Sequence, residues 1–159
     1  MSDIHCRWMC IPEMDVGDFG HVDNHTYIMW MRDMAQSHFS EMGIGRAFLK
    51  ELGQCFVVRR QRVEHISPCF LGDKVLFATA VSELGNKALK RQHRVFKLDE
   101  SENLRPVLRA TALGIFVDQS VKPTSIPEDI SDVINVVSDR EFSEFIRSVE
   151  LPPKLSQVS

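Results

Sequence analysis

No stretch of the chain runs as long as eighteen apolar residues, so no segment is suited to cross a bilayer as a helix. The opening residues, MSDIHCRWMC, lack the basic start and apolar centre of a secretory signal, which makes the cytoplasm the expected location. There is no CxxC pair. Cys6, Cys10, Cys55 and Cys69 lie far apart or without a metal-ligand spacing, a pattern that suits free thiols in a reducing compartment better than a disulfide framework. Cys6 and Cys10 with His5 form an incomplete ligand set, because structural zinc needs four good ligands; no metal is expected. Excess positive charge is missing too: the formal net charge of −3 argues against a nucleic-acid partner that would cover the whole chain. No internal repeat is present.

What is there is ordinary for a globular protein. The chain has 159 residues, 43% hydrophobic and 26% charged, enough for one sizeable core. Residues 4–14 read as a first strand ending near Pro12. From Asn24 the apolar residues Tyr27, Ile28, Met31, Met34, Ala35, His38, Phe39 and Met42 recur at helical spacing. Asn24 is placed to cap this helix and Gly43 to end it in a left-handed turn. Residues 46–52 suggest a short second helix. The period then drops to two over 55–66, 74–84, 88–99 and 106–118, with turn signals between the segments. Short connections imply antiparallel neighbours, and strands this long suit a sheet curled around a helix. Weaker helical patterns cover 128–137 and 139–151. The expected architecture is α+β: a long central helix wrapped by a curved antiparallel sheet, which is the hotdog fold. The domain would span 1–127, with a helical C-terminal extension of the same domain over 128–151 and a frayed tail over 152–159.

The chemically dense stretch is DVGDFGHVDNHTY, residues 15–27. Asp15, Asp18, Asp23, His21, Asn24 and His25 crowd the approach to the helix. Taken alone, aspartates there most often make Asx turns or caps. His21 and His25 are four apart, as in helical metal pairs, but His21 belongs to the turn and no third ligand is placed.

Here the residues carry a resemblance. GHVDNHTY, residues 20–27, resembles the G-H-V-N-N-x-x-Y signature of the 4-hydroxybenzoyl-CoA thioesterase-like hotdog family. Met42-Gly43, RVEHISPCFLGDKV over 62–75, ATALGIFVD over 110–118, and Lys122-Pro123 with Ile126-Pro127 resemble later parts of the family pattern in the right order. The resemblance implies hydrolysis of an acyl thioester carried on coenzyme A or an acyl carrier protein. It implies no cofactor beyond the coenzyme A or phosphopantetheine of the substrate. It also implies a homo-oligomer, a dimer or a dimer of dimers, with sites between the central helix and the partner copy.

Hydrolysis of a thioester needs an activated water or a carboxylate nucleophile, and donors for the developing oxyanion. Enzymes of this family commonly carry a carboxylate three residues before the motif glycine. Here that place is Gly17. The expected catalytic residue is therefore Asp18, one position nearer, acting as base or nucleophile, with Asp15 as the alternative. His21 and Asn24 would orient water or the acyl group. Backbone amides of Gly20, His21 and Val22 at the helix entrance would hold the oxyanion. Asp23, where the signature has asparagine, reads as a solvent-side residue or an alternative cap. Tyr27 and Trp30 would line the acyl site, while Arg59, Lys87, Lys90 and Arg91 would supply a basic rim for phosphates or an acidic carrier. Strand alternation sets Lys87 and Arg91 on one face and Lys90 and Arg94 on the other. Two rival functions stand beside this one. A hotdog dehydratase or hydratase would need Asp15 or Asp18 to work with His21, at a spacing unlike D-x-N-P-x-H. A non-catalytic acyl-binding domain would explain Gly17.

Overall fold

The computed structural model describes residues 3–152. Strand β1 (Ile4–Cys10) is followed by a single 3-10 turn at Glu13–Asp15, helix α1 (Asn24–Glu41) and helix α2 (Arg46–Leu52). Strands β2 (Cys55–His65), β3 (Lys74–Leu84), β4 (Ala88–Leu98) and β5 (Leu104–Val117) come next, then α3 (Glu128–Ser131) and α4 (Asp139–Ser148). The expected first strand is shorter than 4–14 because Ile11 and Pro12 leave the sheet for the 3-10 turn. Of the expected tail, 153–159 lies outside the described residues.

All strand pairs are antiparallel, in the order β1-β3-β4-β5-β2. This corrects the expectation that each strand neighbours the next. β2 and β3 stand at opposite sides of the β4–β5 pair. The link between them is first tied to β5, where Ile66 and Ser67 N–H donate to the Val107 carbonyl (2.8 and 3.2 Å) and Ser67 Oγ to that of Pro106 (2.7 Å). It then passes under the start of α1, where Val22 N–H donates to the Cys69 carbonyl (2.9 Å). Composition explains the positions. β3 is buried from Val75 to Val81 on both faces, as a central strand requires, while β2 carries Arg59, Arg60, Arg62 and Glu64 and is an exposed edge.

α1 supplies the inner layer. Tyr27, Met31, Met34, His38, Phe39 and Met42 of the expected stripe are buried, while Ile28 is exposed and Ala35 partly buried. Gly43 follows with φ +82°, a left-handed stop that costs glycine little. The N-cap is Asp23 rather than Asn24, which is already in the helix. The helix packs over β3 and β1. The C-terminal extension covers the outer face: Phe142 and Ile146 of α4 join Leu76, Ala78 and Ala80 in one apolar cluster. Ser138 caps α4, its Oγ accepting from Glu141 N–H at 3.1 Å. Of the expected helix over 128–137 only the single turn of α3 forms, because Val137 N–H is taken by the Val81 carbonyl at the sheet (2.8 Å).

Candidate active site

The polar stretch folds into a small hairpin. Val16 bridges Val22, Gly17 N–H donates to the His21 carbonyl (2.9 Å), and Gly20 N–H closes the turn on the Gly17 carbonyl (2.9 Å). Gly20 has φ +82°, which the turn needs and a side chain would resist. Asp18 and Phe19 form the exposed tip, with Phe19 stacked on His21 at 6.4 Å between centroids. Asp15 ends the 3-10 turn and is half-buried; burial raises its carboxyl above the ordinary value. The hairpin thus holds Asp15, Asp18, Gly20, His21 and Val22 together beside exposed Asn24 at the start of α1.

Two of the expected oxyanion donors are committed elsewhere. Gly20 N–H closes its own turn and Val22 N–H serves Cys69, so among the described residues only His21 of the three has no backbone acceptor. The first-turn amides of α1 are the better donors, because a helix start leaves its first N–H groups without intrahelical partners. His21 Nδ1 lies 3.2 Å from the Val22 carbonyl, which fixes the ring against its own backbone.

Asp23, read from the sequence as a solvent-side residue or an alternative cap, has a more particular setting. It occupies the N-cap position, yet its side chain makes no capping hydrogen bond. The carboxylate leans instead over Gly17. A Cβ at Gly17 would lie 2.6 Å from one Asp23 oxygen and 2.9 Å from the other. Gly17 and Asp23 are therefore a matched pair: the space a side chain at 17 would take is filled by the carboxylate from 23. The signal was present as two departures from the signature, but only the hairpin register shows that they meet.

Beyond the hairpin, α1, α2 and the inner faces of β2, β4 and β5 enclose a cavity of about 740 Å³. It exists because α1 leans toward β3 and β1, and because β5 offers only Ala112 and Gly114 to its floor. Ile28, Met31, Ala35 and Phe39 line it from α1, Phe56 and Val58 from β2. Tyr27 and Trp30 do not. Tyr27 is buried in the core beside Cys69 with its phenol pushed up by burial, and Trp30 packs edge-on against it (5.4 Å) and against Phe77 (6.4 Å). The i, i+3 spacing turns both toward the sheet.

Nor do the expected basic residues form one rim. Arg59 is exposed at a bulge in the edge strand, Lys87 in the β3–β4 turn, and Lys90 pairs with Glu83 at 2.9 Å. The exposed cations that do border the cavity are Arg32, Arg46 and Lys50. Arg91 is buried, not at a rim. Its Nη1 lies 2.9 Å from His38 Nδ1 and 3.2 Å from Thr79 Oγ1, and its guanidinium sits 4.6 Å over the Phe39 ring. Burial lowers it to about 9, so it remains cationic at neutral pH. His93, two residues on and also lining the cavity, is pushed down to about 3, first by burial and then by Arg91. No helix among the described residues is long and apolar enough to cross a membrane.

The model of the thioesterase-like superfamily matches residues 11–134. The chain belongs to that superfamily. Within it, the chain is similar to the chloroplastic acyl-acyl carrier protein thioesterase ATL3 of Arabidopsis thaliana, with 23% identity over 82% of this chain and 67% of the relative. ATL2 of the same plant is 19% identical over 76% of this chain and 62% of its own length, so the chain spans about two thirds of these relatives. Among solved structures, an aspartate-to-asparagine mutant of 4-hydroxybenzoyl-CoA thioesterase with bound 4-hydroxybenzoyl-CoA superposes with TM-score 0.78. It is 16% identical and covers 84% of this chain and 100% of that one. The 1,4-dihydroxy-2-naphthoyl-CoA thioesterase of Synechocystis gives 0.72 at 14% identity, over 82% and 95%. These likenesses confirm the hotdog fold expected for this superfamily member.

Proposed function

We propose that this thioesterase-superfamily chain hydrolyses an acyl thioester of coenzyme A or an acyl carrier protein, with Asp23 as the working carboxylate. The observation that carries the reading is the Asp23 carboxylate set against Gly17 at the entrance of α1, uncommitted to capping. Asp23 takes a proton from water as its oxygen attacks the thioester carbonyl. First-turn amides of α1, those of Asn24 and His25, receive the developing oxyanion. The tetrahedral intermediate then collapses, the C–S bond breaks, and the departing thiolate takes the proton back from Asp23. His21 and Asn24 orient the water or acyl group. Asp18 at the exposed tip and half-buried Asp15 remain the alternatives that the sequence offers for the carboxylate.

The other parts of the site support the same reading. The apolar cavity is of a size that takes an acyl group. Arg32, Arg46 and Lys50 on its border suit the phosphates of coenzyme A or the acidic surface of a carrier. β2 presents an unpaired edge with Val57 and Val58 exposed, and a second copy added along that edge would stand beside the open side of the cavity. A homo-oligomer follows from this reading.

The test is release of free thiol from a panel of acyl-CoA and acyl-carrier-protein thioesters, read alongside enoyl-thioester formation. Thiol release at catalytic rates is expected. Its absence across the panel would defeat the proposal, and enoyl formation in its place would assign a dehydratase.

A further inference from the structure

The cavity has Arg32, Arg46 and Lys50 at its exposed border and Gln36, Gln54 and Gln61 among its mostly apolar walls, and where β4 crosses its floor it holds a buried cation without an anion. Arg91 is 3% exposed, and no carboxylate among the described residues lies within ion-pair distance of it. Of its two terminal nitrogens, Nη1 is held by His38 and Thr79, and Nη2 has no partner among the described residues. His38 accepts at Nδ1, so it offers no negative charge in return. His93, 2% exposed on the same face of the strand, has its Nδ1 unpartnered as well. Two buried groups that can donate hydrogen bonds therefore border the same space. A buried charge is costly to retain unless an opposite charge is brought to it. The chain supplies none, and the cavity is the route by which one could arrive. Bidentate pairing with a carboxylate is what a guanidinium does best.

We propose that the cavity selects acyl groups bearing a carboxylate remote from the thioester, with Arg91 pairing that carboxylate and His93 donating to it; this rests on the thioesterase reading above. The substrate class is then the mono-thioester of a dicarboxylic acid. Nη2 is buried and the Phe39 ring stacks on the guanidinium, so this pairing requires the surrounding side chains to move aside as the ligand enters. Beyond Arg91 the wall is apolar again, with Leu89 and Ala112. A neutral chain of the same length would leave the cation unanswered, and a site with unpaired buried polar groups rejects such a ligand strongly.

The experiment compares glutaryl-, adipoyl-, suberoyl- and hexadecanedioyl-CoA with the methyl ester of each, using wild type and Arg91→Met. At one or more chain lengths the wild type should favour the free carboxylate by about tenfold or more in kcat/KM, and Arg91→Met should lose or reverse the preference. A binding arm is independent of catalysis. Free adipate, suberate and hexadecanedioate should raise the melting temperature of wild type and not of Arg91→Met, while monocarboxylates of equal length should do less. Should Arg91→Met fold poorly, His93→Phe in the same binding arm must weaken the dicarboxylate shift. Binding without thiol release would keep the carboxylate site and defeat the hydrolase reading. Thiol release with no preference at any length, or a preference that survives Arg91→Met, would overturn the site.

Discussion

Strand β4 carries two buried arginines three residues apart, on opposite faces of the sheet, and each lies over a phenylalanine. Arg94 sits 4.4 Å over Phe142 on the outer face, bonded to Ser143 Oγ at 3.0 Å and paired with Asp139 at 3.5 Å. Arg91 sits 4.6 Å over Phe39 on the inner face, with a histidine and a threonine but no carboxylate. The local sequence, KRQHR, gives no hint of this difference. It comes from what covers each face. α4 brings its own anion and closes the outer side as a clamp. α1 brings His38 and the Phe39 ring but no carboxylate, and leaves a cavity. Each arginine keeps one buried nitrogen without a partner among the described residues, Nε of Arg94 and Nη2 of Arg91, so the difference between them is the charge. Arg94 has an anion from its own chain and, on the proposal above, Arg91 takes one from outside.

The largest expected effect breaks the outer side. Phe142→Ala removes a fully buried ring from the α4 cluster and should destabilise by about 3–5 kcal/mol, read as a lower denaturant midpoint. Thiol release per folded molecule should survive, because α4 does not touch the cavity. Loss of activity in proportion to nothing but Phe142 would show that the two faces are not separable.

The inner side should announce itself in acid. His93 is held near 3 in the fold against its ordinary 6.5, so the unfolded chain takes up the proton first. Stability is complete above 6.5 and falls as the pH moves down toward 3. Between about pH 6.5 and 4 this single group accounts for roughly 3 kcal/mol. His93→Gln should flatten that part of the melting-temperature profile relative to wild type; parallel profiles would mean that His93 is not buried neutral.

The comparison is sharpened most directly by treating both arginines alike. Arg94→Met should cost about 2 kcal/mol, since Ser143 and Asp139 lose their partner in a clamp that holds α4. Arg91→Met should cost less, because relief of an unanswered buried charge offsets the hydrogen bonds lost at His38 and Thr79. Equal losses in chemical denaturation would erase the distinction between clamp and site.

Much of the fold was legible because it is written in local periods. The stripe from Tyr27 to Met42, the left-handed stop at Gly43 and the alternation through 74–84 and 88–99 each state a helix or a strand without reference to distant residues. Strand order is not local. That β2 leaves β3 to lie beyond β5 depends on the bonds of Ser67 to the β5 backbone and on Cys69 meeting Val22, contacts that no periodicity contains. The site divides the same way. The density of polar groups before α1 marks the segment on which the proposed site rests, and Gly17 marks the departure within it. Asp23, whose carboxylate fills the space beside Gly17, lies across a hairpin whose register sets residue 17 against the helix cap. A basic run on a strand is usually solvated, so the sequence places Arg91 at a rim; its burial follows from the helix above it. Tyr27 and Trp30 were assigned to the acyl site on the helix alone, whereas the offset of α1 toward β1 and β3 decides which turn faces the cavity.

The central claim concerns which carboxylate works, and thiol release by Asp23→Asn, Asp18→Asn and Asp15→Asn on the best thioester tests it. Asparagine keeps the shape at residue 23 and is a favoured residue at an N-cap position, so the variant should fold. The account predicts a fall in kcat of about a hundredfold or more for Asp23→Asn, about 2.7 kcal/mol of lost transition-state stabilisation, with Asp18→Asn within about threefold of wild type. A collapse in Asp18→Asn, with Asp23→Asn close to wild type, would contradict it.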